Sequence, residues 1–299
     1  MSGILENDIQ LLEQKGISRE KVIDQIETFK EGIPFVDLEK AAIVGDGLSK
    51  FSSQEEESLV GNFEGSKSNL SLLKFVPASG AASRMFKALF NFLDTYDPSE
   101  ESLASYFERT NDSAIKQFSE NLLKFPFYDL VLSRIAGEAT SKDEQVYLFV
   151  KELLNENALN YGFYPKGLLP FHKYGDHTET PFEEHLKEGA NYAKSGDTAK
   201  LHFTISEQHA EMFVSEFDAV KNRASVTTNT TFTVSYSYQK ASTDTIAVNM
   251  DNTPFRNSDG SLLFRPGGHG ALIENLNEQD ADIIFIKNID NVVVPENAK

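Results

Sequence analysis

The chain lacks features that define several large classes of protein. It has 299 residues and no cysteine, which excludes disulfide scaffolds and thiolate metal sites. It contains no apolar stretch of the length that spans a membrane. Its first residues contain no basic region followed by an apolar run, as a secretory signal would. These absences predict a soluble, cytoplasmic protein with no membrane partner.

The chain is also poor in positive charge. It has 28 Lys and Arg residues against 46 Asp and Glu residues, which gives a formal net charge of −18. Such a charge argues against non-specific binding to nucleic acid or to an anionic membrane surface. A phosphate ligand stays open, because a few lysines, backbone amides and Mg²⁺ can reverse the local field.

Three familiar catalytic motifs are missing from the sequence. There is no Gly-x-x-x-x-Gly-Lys-Ser/Thr, no Gly-x-Ser-x-Gly and no His-Glu-x-x-His. These absences argue against a P-loop NTPase, an α/β hydrolase and a zinc protease of that type. His172, His177 and His185 lie close together in the sequence, so a structural zinc site stays open as an alternative.

The order of strands and helices predicts an α/β fold. Residues 72–77 form the first clear strand, followed by a small-residue turn and a helix at 85–93. From residue 180 onward the chain alternates helices with strands, which include 231–238 and 282–287. Such alternation predicts a mostly parallel sheet covered on both faces.

The sequence also predicts a domain organisation. Residues 1–68 form an N-terminal helical segment, and residues 69–299 form an α/β domain with a helical insertion at about 98–160. The chain stops soon after Asp290. A sheet in which a strand ends at a carboxylate suited to metal binding would normally continue with further strands. We therefore expect the domain to be truncated at its C-terminus.

Two motifs in the first part of this domain are typical of phosphate contacts. Residues 78–84, Ala-Ser-Gly-Ala-Ala-Ser-Arg, connect a strand to a helix, and their small side chains permit close approach of a phosphate. Arg84 could pair with that phosphate through two hydrogen bonds. Lys166 lies between Pro165 and Gly167, before an apolar run. The alternatives are close packing of the strand against the helix and a solvated lysine.

Two further motifs lie near the C-terminal end. Residues 265–270, Arg-Pro-Gly-Gly-His-Gly, form a loop that leads into a predicted helix, where amides can bind an anion. Residues 288–291, Asn-Ile-Asp-Asn, follow a predicted strand. Asp290 suits Mg²⁺, which often uses one or two carboxylates plus substrate phosphates. The alternatives are a glycine-rich turn with a surface histidine and an aspartate that caps a turn.

Taken in order, these four motifs resemble those of the UDP-sugar pyrophosphorylases, nucleotidyltransferases of GT-A-like fold. The Ala-Gly-Gly-x-Gly-Thr-Arg turn of that class is similar to residues 78–84, and its Pro-Lys segment to residues 165–166. Its Pro-Gly-His-Gly loop and Asn-x-Asp-Asn strand end are similar to residues 267–270 and 288–291. The resemblance implies a Rossmann-like GT-A sheet, mostly parallel and in three layers. The whole chain also resembles a family catalogued as domain of unknown function 4301.

The resemblance implies a Mg²⁺-dependent nucleotidyltransferase that joins a sugar 1-phosphate to a nucleoside triphosphate, with UTP expected, and releases pyrophosphate. Arg84 and Lys166 would be catalytic through their phosphate contacts, and Asp290 would hold the Mg²⁺. The reaction needs positioning and charge neutralisation more than a general base. The nucleotide and the sugar would contact the other candidate residues, which are Gly80, Gln239, Gly268, His269, Gly270 and Asn288.

Departures from the class leave two alternatives open. Ser79 and Ala82 stand where the turn of that class has glycine, which narrows the room for phosphates. A protein that binds a nucleotide or nucleotide sugar without turnover is therefore one alternative. A GT-A glycosyltransferase is the other, although the expected phosphate contacts of Arg84 and Lys166 argue against it.

Overall fold

The computed structural model describes residues 3–294, which form α-helices, short 3₁₀ turns and strands. The α-helices are α1 (Ile9–Lys15), α2 (Arg19–Glu31), α3 (Ser53–Ser66), α4 (Lys87–Thr95), α5 (Leu103–Thr110), α6 (Ser113–Glu120), α7 (Tyr128–Arg134), α8 (Lys142–Leu154), α9 (Pro181–Tyr192), α10 (Ala210–Thr228) and α11 (Ile273–Asn277). The strands are β1 (Ile43–Val44), β2 (Gly47–Leu48), β3 (Leu72–Pro77), β4 (His172–Tyr174), β5 (His177–Glu179), β6 (Lys194–Ser195), β7 (Thr198–Ile205), β8 (Thr231–Tyr238), β9 (Thr245–Ile246), β10 (Phe264–Arg265) and β11 (Ile283–Ile286).

The described chain divides into two compact units. The first contains residues 3–72 together with Ser237–Ile283, and the second contains Leu73–Tyr236 together with residues 284–294. The grouping of Ser237–Ile283 with the N-terminal residues is not anticipated by the sequence. The predicted domains at 1–68 and 69–299 stay a prediction, and residues 295–299 of the second lie outside the described residues.

The first unit has a small core between its N-terminal helices and two short strands. Strands β9 and β10 pair antiparallel, with Ile246 opposite Phe264. Their buried side chains pack against Leu12, Val22 and Ile26 from α1 and α2. Between these two strands the chain turns twice, because Val248 bridges Pro254 and Arg256 bridges Leu262. Residues 257–260, Asn-Ser-Asp-Gly, form the second turn, where Gly260 adopts a φ of +85°.

The predicted N-terminal helical segment is helical only in part. It contains α1, α2 and α3, but residues 32–52 form no helix. Helix α2 ends at Gly32, whose φ of +78° is favourable for glycine alone. Pro34 then prevents Ile33 from continuing the helix, because proline disfavours the α conformation of the residue before it.

The second unit is built on a mixed sheet. The strand order is β11-β3-β7-β6, and β8 also pairs with β7. Strands β3 and β7 are parallel, with Lys74 opposite Leu201 and Pro77 opposite Thr204. Strands β6 and β7 are antiparallel. A mixed sheet with this many helices is compatible with the predicted α/β class, and the mostly parallel arrangement stays a prediction.

Helices cover the apolar strands of the second unit. Buried side chains of β7, such as Leu201 and Phe203, pack against Phe182 of α9 and Phe213 of α10. Helix α9 begins as the sequence predicts, because Thr180 accepts a hydrogen bond from Glu183 N–H at its N-terminus. Within residues 3–294, none of the helices combines the length and the apolar character needed to cross a membrane.

The segment predicted as a helical insertion contains α5, α6, α7 and α8. These helices form a second apolar cluster with α4, in which Phe92, Tyr106 and Phe149 are almost fully buried. Phe92 and Tyr106 meet edge to face with ring centroids 5.3 Å apart, which is a favourable aromatic geometry. The apolar faces of these amphipathic helices, which lie within residues 98–160, form the cluster.

Candidate functional site

The loop after β3 is held against the end of β7. Ala78 N–H donates to the carbonyl oxygen of Thr204 at 2.8 Å. The Ser206 hydroxyl donates to the carbonyl oxygen of Ser79 at 3.1 Å. Because β3 and β7 are parallel, both contacts lie at the carboxyl ends of the strands. This edge is where open α/β sheets bind ligands.

The Pro-Lys segment lies beside this loop and reaches the acid after β11. Lys166 N–H donates to the carbonyl oxygen of Gly80 at 3.0 Å. The Lys166 ammonium lies 2.9 Å from Oδ2 of Asp290. The two side chains are 27% and 37% exposed, so solvent and ligands reach both. The structure therefore brings together three of the predicted site residues, Gly80, Lys166 and Asp290.

Close packing of the adjacent residues fixes the positions of this lysine and this acid. A Cβ atom on Gly167 would lie 2.9 Å from Cγ1 of Ile289 and 3.2 Å from Cε1 of Phe213. Ile289 N–H also donates to the carbonyl oxygen of Pro77 at 3.1 Å. Lys166 precedes the buried Gly167, and Asp290 follows the buried Ile289. The packing of these two buried residues therefore fixes the backbone on which each charged side chain is carried.

A buried histidine supports the strand end that carries the acid. His185 of α9 is fully buried, and its Nε2 lies 3.2 Å from the carbonyl oxygens of both Asn288 and Ile289. Burial, with the nearby charge of Lys74, lowers the pKa of His185 to about 3. The imidazole is therefore neutral at pH 7, and its Nε2–H donates to these two carbonyl groups.

Behind the strand end lies a charge network around a buried lysine, which the sequence did not predict. Lys74, in the middle of β3, is fully buried with its ammonium 3.3 Å from Glu188. Lys287 lies 2.9 and 2.8 Å from the two Glu188 oxygens. Burial lowers the pKa of Lys74 to about 7. Burial alone would raise the pKa of Glu188, but Lys74 and Lys287 together lower it to about 2.

The two other histidines of the predicted alternative zinc site pair with carboxylates, and His177 pairs with two, because its Nδ1 also lies 3.2 Å from Asp176. His172 Nδ1 lies 2.8 Å from Glu184, and His177 Nε2 lies 3.0 Å from Glu179. Residues 3–294 contain no group of three or more histidine, aspartate or glutamate side chains able to hold a metal ion. His172 and His177 thus belong to a hydrogen-bond network with carboxylates around α9.

Asp290 is consistent with the sparse donor set that Mg²⁺ requires. Mg²⁺ is commonly bound by one or two carboxylates together with substrate phosphates and water. Asp290 supplies one partly exposed carboxylate at the ligand-binding edge of the sheet. Arg84 is exposed at the end of a 3₁₀ turn in the same unit and makes no ion pair within the described chain. Its guanidinium is thus open to an anion.

The glycine loop, within the first unit, contacts another predicted residue. A Cβ atom on Gly267 would lie 3.1 Å from the carbonyl oxygen of Thr243 and 3.8 Å from Nε2 of Gln239. That Nε2 is buried and has no hydrogen-bond partner within residues 3–294. Gly268, His269 and Gly270, which complete the loop, are exposed. The loop continues as a 3₁₀ turn at His269–Leu272 before the five-residue α11.

The nine candidate residues therefore fall into two groups. The second unit contains Gly80, Arg84, Lys166, Asn288 and Asp290, and the first contains Gln239, Gly268, His269 and Gly270. Each role assigned to them from the sequence stays a prediction.

Comparison with protein-family models gives a match to "Domain of unknown function (DUF4301)", which spans residues 5–299. The chain belongs to this family. Neither the curated proteins nor the solved structures contain a significant match. The assignment of the candidate site in this family member therefore rests on the geometry of its own residues.

The most informative residues that the sequence analysis missed are Lys74 and Glu188. The one available signal was Lys74 itself, a charged residue within the apolar run Leu72-Leu-Lys-Phe-Val. A lysine in a buried strand requires a carboxylate partner. The sequence does not reveal which of the many acidic residues would supply it.

Proposed function

We propose that this protein is a Mg²⁺-dependent nucleotidyltransferase that joins a sugar 1-phosphate to a nucleoside triphosphate, with UTP as the expected nucleotide. The observation that carries the proposal is the 2.9 Å contact between Lys166 and Asp290 beside the loop after β3. A cationic group, a carboxylate and a small-residue loop at this edge suit a ligand that carries both phosphates and a divalent cation.

The proposed fold is the GT-A form of the α/β class. It is supported by hydrogen bonds between β11 and β3, in which Lys287 N–H donates to Phe75 and Ile289 N–H to Pro77. These bonds advance in the same direction along both strands, as parallel pairing requires. The carboxyl ends of β3, β7 and β11 then lie at one edge, where Gly80 and Asp290 are found.

In the proposed reaction, an oxygen of the sugar 1-phosphate attacks the α-phosphorus of the triphosphate. The bond from that phosphorus to the bridging oxygen breaks, and pyrophosphate leaves. Lys166 and Arg84 would bind the phosphates and offset their charge, and Asn288 would contact a sugar hydroxyl. When bound, Mg²⁺ supplies further neutralisation of the phosphate charge, and Asp290 would hold it. A cytoplasmic location is part of the same proposal.

One observation favours a second candidate, a nucleotide-binding protein without turnover. The amide of Ala82 donates to the carbonyl oxygen of Tyr164 at 2.9 Å, so this N–H is already used within the protein. The turn therefore offers one fewer donor to a phosphate than a fully open loop would.

Pyrophosphate release tests the two candidates. The protein is assayed with a panel of nucleoside triphosphates and sugar 1-phosphates in Mg²⁺, beside Asp290→Ala and the control Asp129→Ala. Asp129 also pairs with a lysine, Lys173, on the surface of the same unit. We expect release for one substrate pair, reduced at least about 100-fold by Asp290→Ala, as for loss of one electrostatic stabilising group. Binding of UTP without release would support the second candidate.

A further inference from the structure

The ion pair between Lys166 and Asp290 has the properties of an exchangeable contact. Both side chains are partly exposed, and within residues 3–294 the ammonium has no second carboxylate within 4.0 Å. We propose that Lys166 and a divalent cation compete for the carboxylate of Asp290, an inference that rests on the proposed function. Cation binding would release the lysine to the phosphates of the substrate.

Competition follows from the distances around the carboxylate. Mg²⁺ binds carboxylate oxygens at about 2.0–2.1 Å. A cation on Oδ2 would therefore lie within about 5 Å of the lysine Nζ, which is itself 2.9 Å from that oxygen. Two positive charges so close repel each other, and solvent at this partly exposed site weakens the repulsion without abolishing it. When the Lys166 ammonium contacts the carboxylate, binding of a cation there is disfavoured, and the reverse also holds.

The lysine side chain is the part that can move. Its backbone is fixed by the hydrogen bond to Gly80 and by the contact of Gly167 with Ile289. The four-carbon stem, in contrast, has several rotatable bonds and ends in a compact charge. The ammonium can therefore leave Asp290 while the loop and the strand end keep their places.

The loop after β3 is the nearest place for the released charge. Cδ of Lys166 lies 4.0 Å from the position that a Cβ atom on Gly80 would take, and among the described residues no other atom outside the turn lies nearer. The stem thus already runs beside the small-residue turn that is expected to face phosphates. A rotation near its end would place the ammonium over this turn.

This arrangement couples the cation to the phosphate. Without a cation, Lys166 neutralises Asp290 and is held away from the turn. With a cation on Asp290, the lysine becomes available to an anion, so each ligand increases the affinity for the other. Such coupling is reciprocal by thermodynamic necessity.

The test is a titration with Mn²⁺, which prefers the same oxygen ligands as Mg²⁺ and gives an electron paramagnetic resonance signal when free. The proteins are the wild type, Lys166→Met, Asp290→Asn and the control Lys173→Met, each shown to be folded by circular dichroism. Lys173→Met removes the same charge from a surface pair with Asp129. We expect Lys166→Met to bind Mn²⁺ about three- to fivefold more tightly than Lys173→Met. We also expect no binding at this site in Asp290→Asn.

Other results overturn the proposal in distinguishable ways. If Lys166→Met binds Mn²⁺ no more tightly than Lys173→Met while Asp290→Asn loses the ion, competition is wrong and the metal role of Asp290 stands. If Asp290→Asn binds Mn²⁺ as the wild type does, or if none of the proteins binds it, competition is wrong and the metal assignment in the proposed function is wrong as well.

Discussion

Two lysine–carboxylate contacts in the second unit have the same chemistry but differ in burial and in role. Lys74 is fully buried and shares Glu188 with Lys287. Lys166 and Asp290 form a pair at the edge of the sheet that is reached by solvent. Removing charges from water is costly, so the buried lysine depends on its partner, whereas the exposed pair gains little from remaining together. Burial therefore separates a structural contact from one that a ligand can replace.

The largest expected effect is the removal of the carboxylate that pairs with the buried lysine. Glu188→Ala should lower the free energy of unfolding by about 3 kcal/mol, because Lys74 is left buried without an anionic partner. The measurement is urea unfolding followed by circular dichroism at pH 6, where Lys74 is protonated.

Asp129→Ala is the matched control, since it removes a carboxylate from an exposed lysine pair. Its cost should be less than about 1 kcal/mol. Equal costs for Glu188→Ala and Asp129→Ala would remove the distinction between the buried and the exposed contact.

A glycine substitution tests the packing that fixes the exposed pair. Gly167→Ala should cost about 2 kcal/mol, because the new Cβ would lie 2.9 Å from Ile289 and 3.2 Å from Phe213. Gly80→Ala is its control, since the nearest atom would be Cδ of Lys166 at 4.0 Å. That variant should be unchanged or up to about 1 kcal/mol more stable. Urea midpoints measured side by side decide between these expectations, and similar midpoints would contradict them.

The strands and turns were the most predictable part of this protein. The sequence places strands at 72–77 and 231–238, and the structure has β3 and β8 there. Such elements are visible in sequence because each depends on a local pattern of apolar residues or on a turn signal. The predicted helix after the glycine loop is shorter, because the chain first forms a 3₁₀ turn at His269–Leu272.

The site was predictable residue by residue but not in its contacts. The order of motifs singles out Lys166 and Asp290, yet nothing in the sequence states that their side chains meet. The contact depends on Gly167 and Ile289, which are 122 positions apart and fit only because the glycine has no Cβ. Contacts over such separations depend on the tertiary fold and are not visible in a local sequence pattern. For the same reason, the sequence did not predict the contact of Lys74 with Glu188.

The pH dependence of stability tests the buried lysine directly. The folded-state pKa of Lys74 is lowered to about 7 by burial, and its unfolded-state pKa is near its ordinary value of 10.5. Between these values the unfolded chain binds a proton that the folded chain does not, so this group makes stability rise with pH. The wild type should therefore gain up to about 1.4 kcal/mol per pH unit relative to Lys74→Met from pH 7 to 9. A constant difference in urea midpoints across that range would contradict the lowered pKa.

The smallest expected effect is on the pair at the candidate site. Lys166→Met should change the free energy of unfolding by less than about 1 kcal/mol, because partly exposed ion pairs contribute little once solvent screens them. A double-mutant cycle with Asp290→Asn isolates the interaction, and its coupling energy should also stay below about 1 kcal/mol. A coupling comparable to the cost of Glu188→Ala would mean that Lys166 is bound to Asp290 as firmly as Lys74 is to Glu188. A cation could then not displace it, so a weak coupling here is a condition for the exchange proposed at Asp290.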